Sequence, residues 1–109
     1  MPRSITWLGH AAFRFDLPSG DRVYVDPFLT GNPSCPASEL EPDRVDAILV
    51  THGHADHVGD TVRLARAFAC PVIAQVELRG LLGEEIGPAC VLVADEELLT
   101  VDLADHTYG

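Results

Sequence analysis

The chain has 109 residues, enough for one small domain and too few for two. Apolar residues make up 47% of it, a globular composition, and no window approaches eighteen consecutive apolar residues, so no membrane partner is expected. A formal charge of −10 argues against a nucleic-acid backbone or an anionic membrane surface as the main partner.

Met1-Pro2-Arg3-Ser4 leads into a strand pattern with no secretory apolar segment, so a soluble, cytoplasmic protein is expected. Cys35, Cys70 and Cys90 are far apart and form no CxxC, which points to free thiols and away from a disulfide framework or a zinc ribbon. Ile5, Trp7 and Leu8, then Ala11 to Asp16, read as two strands joined around Gly9-His10. Their alternation puts Phe13 and Phe15 on one face and Arg14 and Asp16 on the other. After a turn at Leu17 to Asp21, Arg22-Val23-Tyr24-Val25 completes an antiparallel meander that stops at Asp26-Pro27, where proline is expected to hold Asp26 extended.

From Phe28 to Pro42, Pro33, Pro36, Gly31 and Asn32 interrupt either period, and a surface loop is expected there. Ala47-Ile48-Leu49-Val50-Thr51 is an unbroken apolar run of the kind found in a strand covered on both faces. Asp60 can cap a helix running to about Ala69, with Val62, Ala65 and Phe68 or Ala69 on its inner stripe and Arg63 and Arg66 extending into solvent. Val72-Ile73-Ala74 reads as a second buried strand and residues 76–82 as a short helix, which together make a βαβ unit with a parallel pair. Cys90 to Val93 and Leu98 to Leu103 then look like a hairpin with a solvated tip at Asp95-Glu96-Glu97.

Directly after the apolar strand, His52, His54, Asp56 and His57 place three imidazoles and a carboxylate within six residues. In extended geometry His52, His54 and Asp56 share one side, and the following turn brings His57 round. Neutral imidazole and carboxylate are ligands that suit zinc and, with more oxygen, manganese or iron; the alternative is a solvated histidine-rich loop. Four donors this close cannot all reach one small ion without strain. Two divalent metal ions are therefore expected, His52 and His54 on one, Asp56 and His57 on the other, about 3.5–4 Å apart with a shared water.

Three blocks, Trp7-Leu8-Gly9-His10-Ala11-Ala12-Phe13, residues 25–33 (VDPFLTGNP) and residues 50–61 (VTHGHADHVGDT), resemble the ascorbate-phosphate-lactonase-like metal-dependent hydrolases of the metallo-β-lactamase superfamily. The resemblance covers the chain well up to about Leu82. It implies an α/β fold, an αββα sandwich of which this chain, as one domain, has the N-terminal half: a mixed sheet with helices on one side. It further implies that His52 and His54 ligate a first metal, that Asp56 and His57 ligate a second, and that Asp26 supports the site from the preceding strand. His106 is similar to a further ligand histidine of the family, whereas nothing in the chain corresponds to the family's bridging aspartate and last histidine.

The expected chemistry is hydrolysis of an ester, lactone or phosphodiester by a hydroxide generated between two metals, with Asp56 as the catalytic residue that positions it and accepts its proton. Asp26 can orient a ligand histidine or simply cap a turn before proline. His10 can line the substrate pocket or hydrogen-bond the backbone, and the structural role is the favoured one. The competing expectation is a non-catalytic metal-binding half-domain whose uncovered apolar sheet face drives partner binding, with a homo-oligomer completing the sandwich.

Overall fold

The computed structural model describes residues 4–51, 58–74 and 92–93. Its six strands are β1 (Ser4–Gly9), β2 (Ala12–Asp16), β3 (Arg22–Val25), β4 (Ala47–Val50), β5 (Val72–Ala74) and β6 (Leu92–Val93), and its helix α1 (Thr61–Phe68) lies between β4 and β5. They form one mixed sheet in sequence order. The first three strands pair antiparallel, with Ile5 opposite Phe15 and Phe13 opposite Val25; β3 through β6 pair parallel, with Tyr24 beside Ile48 and Ile48 beside Val72. A meander followed by a β4–α1–β5 crossover is the expected order. The second strand of the proposed hairpin, the short helix at 76–82 and the acidic tip lie outside the described residues.

Strand alternation divides the side chains between two unlike faces. Leu8, Tyr24, Ile48, Val50, Val72 and Ala74 are buried on the helix side, where Leu64 and Ala65 of α1 close over them. Burial of a Leu, Ile or Val side chain contributes roughly 1.5–3 kcal/mol, so this layer is the main stabilising element of the described fold. On the opposite face Ile5 and Trp7 remain 58% and 59% exposed.

Helix α1 is rotated from its expected setting: Thr61, Leu64 and Ala65 point inward, and Val62 and Phe68 are only partly buried. The cause lies at its first turn, where the Thr61 hydroxyl donates to the Val58 carbonyl and draws Thr61 into the core. Asp60 occupies the N-cap position, yet its side chain makes no capping bond because it is committed to Thr30. Ala69 ends the helix in the left-handed conformation.

The 28–42 segment is less superficial than expected. Leu29 and Asn32 are buried in it, and a single 3-10 turn forms at Ala37–Glu39. Arg63 does not simply extend into solvent: it donates to Glu41 Oε2, to the Leu40 carbonyl and to Asp60 Oδ2, each at 3.1 Å, tying the segment to α1, whereas Arg66 is exposed. No helix among the described residues is long and apolar enough to cross a membrane.

Candidate metal centre

Because β1 runs antiparallel to β2, and β2 to β3, while β3 and β4 are parallel, the C-terminal ends of β1, β3 and β4 meet at one edge of the sheet. The His10 turn, Asp26 and Thr51 come together there. His52 follows Thr51 in the chain. The predicted metal ligands His52, His54, Asp56, His57 and His106 lie outside the described residues, but the residues on both sides of 52–57 are described.

Thr51 is held by Asp26. Its backbone N–H donates to Asp26 Oδ1 at 2.7 Å and its hydroxyl to Asp26 Oδ2 at 2.6 Å, so both carboxylate oxygens act on the residue that leads into His52. Asp26 itself is 2% exposed, and its N–H donates to the Leu49 carbonyl at 2.8 Å. The sequence favoured an extended Asp26. The observed φ is +46°, in the left-handed region, and the Phe28 N–H returns to the Asp26 carbonyl at 2.7 Å. Aspartate is among the few residues that tolerate this conformation, and the charge-assisted bonds to Thr51 offset its cost.

The exit from 52–57 is held by the same stretch. Gly59, at φ +47°, packs so closely on the Pro27–Phe28 peptide that a Cβ there would stand 2.4 Å from Phe28 Cα and 2.6 Å from the Pro27 carbonyl oxygen. Asp60 N–H donates to that carbonyl at 2.9 Å, and Asp60 Oδ2 accepts from the Thr30 N–H at 2.9 Å and the Thr30 hydroxyl at 3.0 Å. Asn32 makes the third join: its Nδ2 donates to the Phe28 carbonyl at 2.9 Å, its Oδ1 accepts from Ser34 N–H at 3.0 Å, and a Cβ on Gly9 would meet it at 2.9 Å. The described residues of the three sequence blocks are thus packed together, with residues 26–32 at the centre.

His10 lies at the same edge in the β1–β2 turn, exposed and at φ +56°. Its ring meets Phe28 edge-on, with centroids 6.0 Å apart, and its carbonyl accepts the Trp7 indole N–H at 2.8 Å. Sequence reasoning singled out Asp26 and His10 but missed Thr51, Asp60 and Asn32 as joining residues. Thr51 was visible only as the end of the apolar strand, Asp60 only as a helix cap, and Asn32 only as a turn residue.

Among the described residues no group of three His, Cys, Asp or Glu side chains could hold a metal ion. The donor set in 52–57, three imidazoles and a carboxylate, has the chemistry of a divalent-metal site. A metal also needs its donors presented from a firm frame, and the two anchored ends of that segment meet this need.

A model of the metallo-beta-lactamase superfamily matches residues 6–89. A UPF0173 metal-dependent hydrolase of Herpetosiphon aurantiacus is 53% identical over 71% of this chain and 32% of its own length. A second, from Xanthobacter autotrophicus, is 41% identical over 96% of this chain and 49% of its own. The chain thus spans about a third to a half of these curated relatives. Among solved structures, that of Igni18, a novel metallo hydrolase from the hyperthermophilic archaeon Ignicoccus hospitalis, is similar with a TM-score of 0.73 and 23% identity, over 93% of this chain and 42% of that one. The expected α/β metallo-hydrolase fold is therefore the observed one.

Proposed function

Since the chain belongs to the metallo-beta-lactamase superfamily, we propose that it is the metal-binding N-terminal half of a metal-dependent hydrolase acting on an ester, lactone or phosphodiester. The narrower reading, an ascorbate-phosphate-lactonase-like enzyme, draws its support from the three motif blocks. His52, His54, Asp56 and His57 would hold two divalent ions, zinc or manganese, with His106 as a further donor. When bound, such ions supply Lewis-acid activation of water and neutralise charge at the reacting centre. The observation that carries this reading is that both ends of the donor segment are tied to residues 26–30, the entrance by the Asp26 carboxylate and the exit through Pro27 and Thr30.

The chain's own residues have separate roles in this reading. Asp26 orients the entrance to the segment, Asp60 secures its exit, and a carboxylate oxygen of Asp56 takes the proton of the attacking water. The partner is a small-molecule substrate and the setting cytoplasmic. Metal analysis of the purified chain, wild type and His54→Ala, tests the proposal together with turnover of a generic ester and a generic phosphodiester after zinc or manganese is added. Metal uptake with turnover in the wild type, and loss of metal in the variant, is the expected result. Unchanged metal stoichiometry in His54→Ala would rule the site out.

A second reading draws on the exposure of Ile5 and Trp7. In it the chain is a non-catalytic metal-binding half-domain that covers its open sheet face with another copy. Sedimentation with and without metal separates the two, because a monomer with turnover excludes the second.

A further inference from the structure

Where β2 and β3 carry Arg14, Arg22 and Tyr24 beneath the 38–43 segment, we infer a second binding site, one that takes an uncharged polyhydroxylated molecule such as a sugar or cyclitol. It is independent of the hydrolase reading and shares no described residue with the Asp26–Thr51 edge. A cleft of about 390 Å³ lies there, within the size range of small-molecule sites, and its lining includes Arg14, Arg22, Tyr24, Glu39, Glu41 and Asp43. The Tyr24 hydroxyl marks its floor. Tyr24 is 0% exposed, and among the described residues its hydroxyl is the buried side-chain polar atom without a hydrogen-bond partner. Leaving such a group unpaired is costly, and folded proteins rarely do so. Arg14 sits opposite on β2, but its bonds run to Asp16, Glu39 and Thr6. A guanidinium is also a donor only, so it cannot take the hydroxyl proton. Burial holds the phenol above its ordinary value of 10.0, which keeps that proton in place. The charges of Arg22, Arg14 and Glu39 all act on the hydroxyl, and all three side chains line the cleft, so the group faces that space and lacks an acceptor.

Charge narrows what can supply that acceptor. Two guanidiniums stand against three carboxylates in the lining, on a chain of net charge −10, which disfavours an anion. Nor are the carboxylates left to hold a cation, since Glu39 pairs with Arg14, Asp43 with Arg22 and Glu41 with Arg63. Both members of each pair keep hydrogen-bonding capacity, N–H groups on the guanidiniums and lone pairs on the carboxylates. A hydroxyl accepts and donates through one oxygen. Several hydroxyls on a small frame therefore match a lining that offers both, with the innermost oxygen accepting from Tyr24.

Calorimetric titration of the chain with myo-inositol, a ring bearing a hydroxyl on every carbon, tests the inference, with cyclohexanol and inorganic phosphate as comparators. Saturable heat from myo-inositol alone is the expected result. Tyr24→Phe removes only the hydroxyl. It should weaken that binding by about fivefold or more and, because it deletes an unpaired buried group, raise the thermal transition of the ligand-free chain. No saturable binding of myo-inositol to the wild type, binding of phosphate or cyclohexanol as tight as that of myo-inositol, or a smaller loss of affinity in Tyr24→Phe would each overturn the proposal. So would a thermal transition no higher than wild type in ligand-free Tyr24→Phe, because the hydroxyl would then have its acceptor within the fold.

Discussion

At the sheet edge where β1, β3 and β4 end, the chain is held by hydrogen bonds between buried side chains and backbone, Asp26 with Thr51 and Asn32 with the Phe28 carbonyl, and by the close packing of Gly59 on the Pro27–Phe28 peptide. At the opposite edge the joins are ion pairs. Asp16 accepts from Arg14 Nε at 3.1 Å and Arg22 Nε at 2.7 Å, Arg22 reaches the exposed Asp43 at 3.2 Å, and Arg44 bridges Asp21 and Asp46. Arg14 also pairs with Glu39. Of the three non-glycine residues with positive φ among those described, His10 and Asp26 lie at the first edge, and the third, Ala69, ends the helix. Bonds to the buried Asp26 carboxylate specify geometry and are little screened, whereas ion pairs that reach exposed partners such as Arg44 and Asp43 tolerate movement and are screened by salt. Strain and directional bonding are concentrated where the 52–57 segment begins and ends.

The sharpest way to break this contrast is Asp26→Ala. Leaving the Thr51 N–H and hydroxyl without their acceptor should cost about 2–4 kcal/mol in denaturant unfolding. Metal affinity should fall about 10–100-fold by titration, as for loss of a residue that orients ligands from behind. Gly59→Ala tests the exit, since its Cβ would meet backbone that cannot move aside. Overpacking and the positive φ together should cost roughly 2–3 kcal/mol, measured the same way.

The ion-pair edge should respond to pH. Burial alone would raise the Asp16 carboxyl, but the Arg22 hydrogen bond and the Arg14 charge outweigh it and hold the group below its ordinary value of 3.8. A depressed native pKa stabilises the fold above the unfolded value. That contribution is therefore intact above about pH 4 and lost as pH falls through the lower native value. Acid unfolding of Asp16→Asn against wild type should show the difference between them shrinking below pH 4, and shrinking also in high salt. The smallest effect is expected for Asp43→Asn. That carboxylate is 93% exposed, and its loss should change stability by no more than about 0.5 kcal/mol.

Several features were legible from the residues in order. Period-two alternation located β1 to β3, the apolar run located β4, and the histidine spacing marked the donor segment, because each depends on neighbours only a few positions apart. The left-handed turn at Asp26 was not legible: the proline rule speaks to local sterics, while the deciding bonds come from Thr51, 25 residues away. Helix α1 was placed within one residue but rotated, because its facing depends on Thr61 and on the anchoring of Asp60 to Thr30. Asp60 read as a helix cap for the same reason. A carboxylate at that position serves whichever N–H groups the fold brings nearest.

By itself the sequence determined the strand order of the meander, the crossover after β4 and the donor types in 52–57, since covalent spacing and side-chain chemistry set those. Only the tertiary structure decided that residues 26–32 form the seat to which both ends of that segment are bound, that α1 turns Thr61 inward, and that His10 shares an edge with Thr51. These depend on hydrogen bonds and close contacts between residues distant in the chain, which no local pattern encodes.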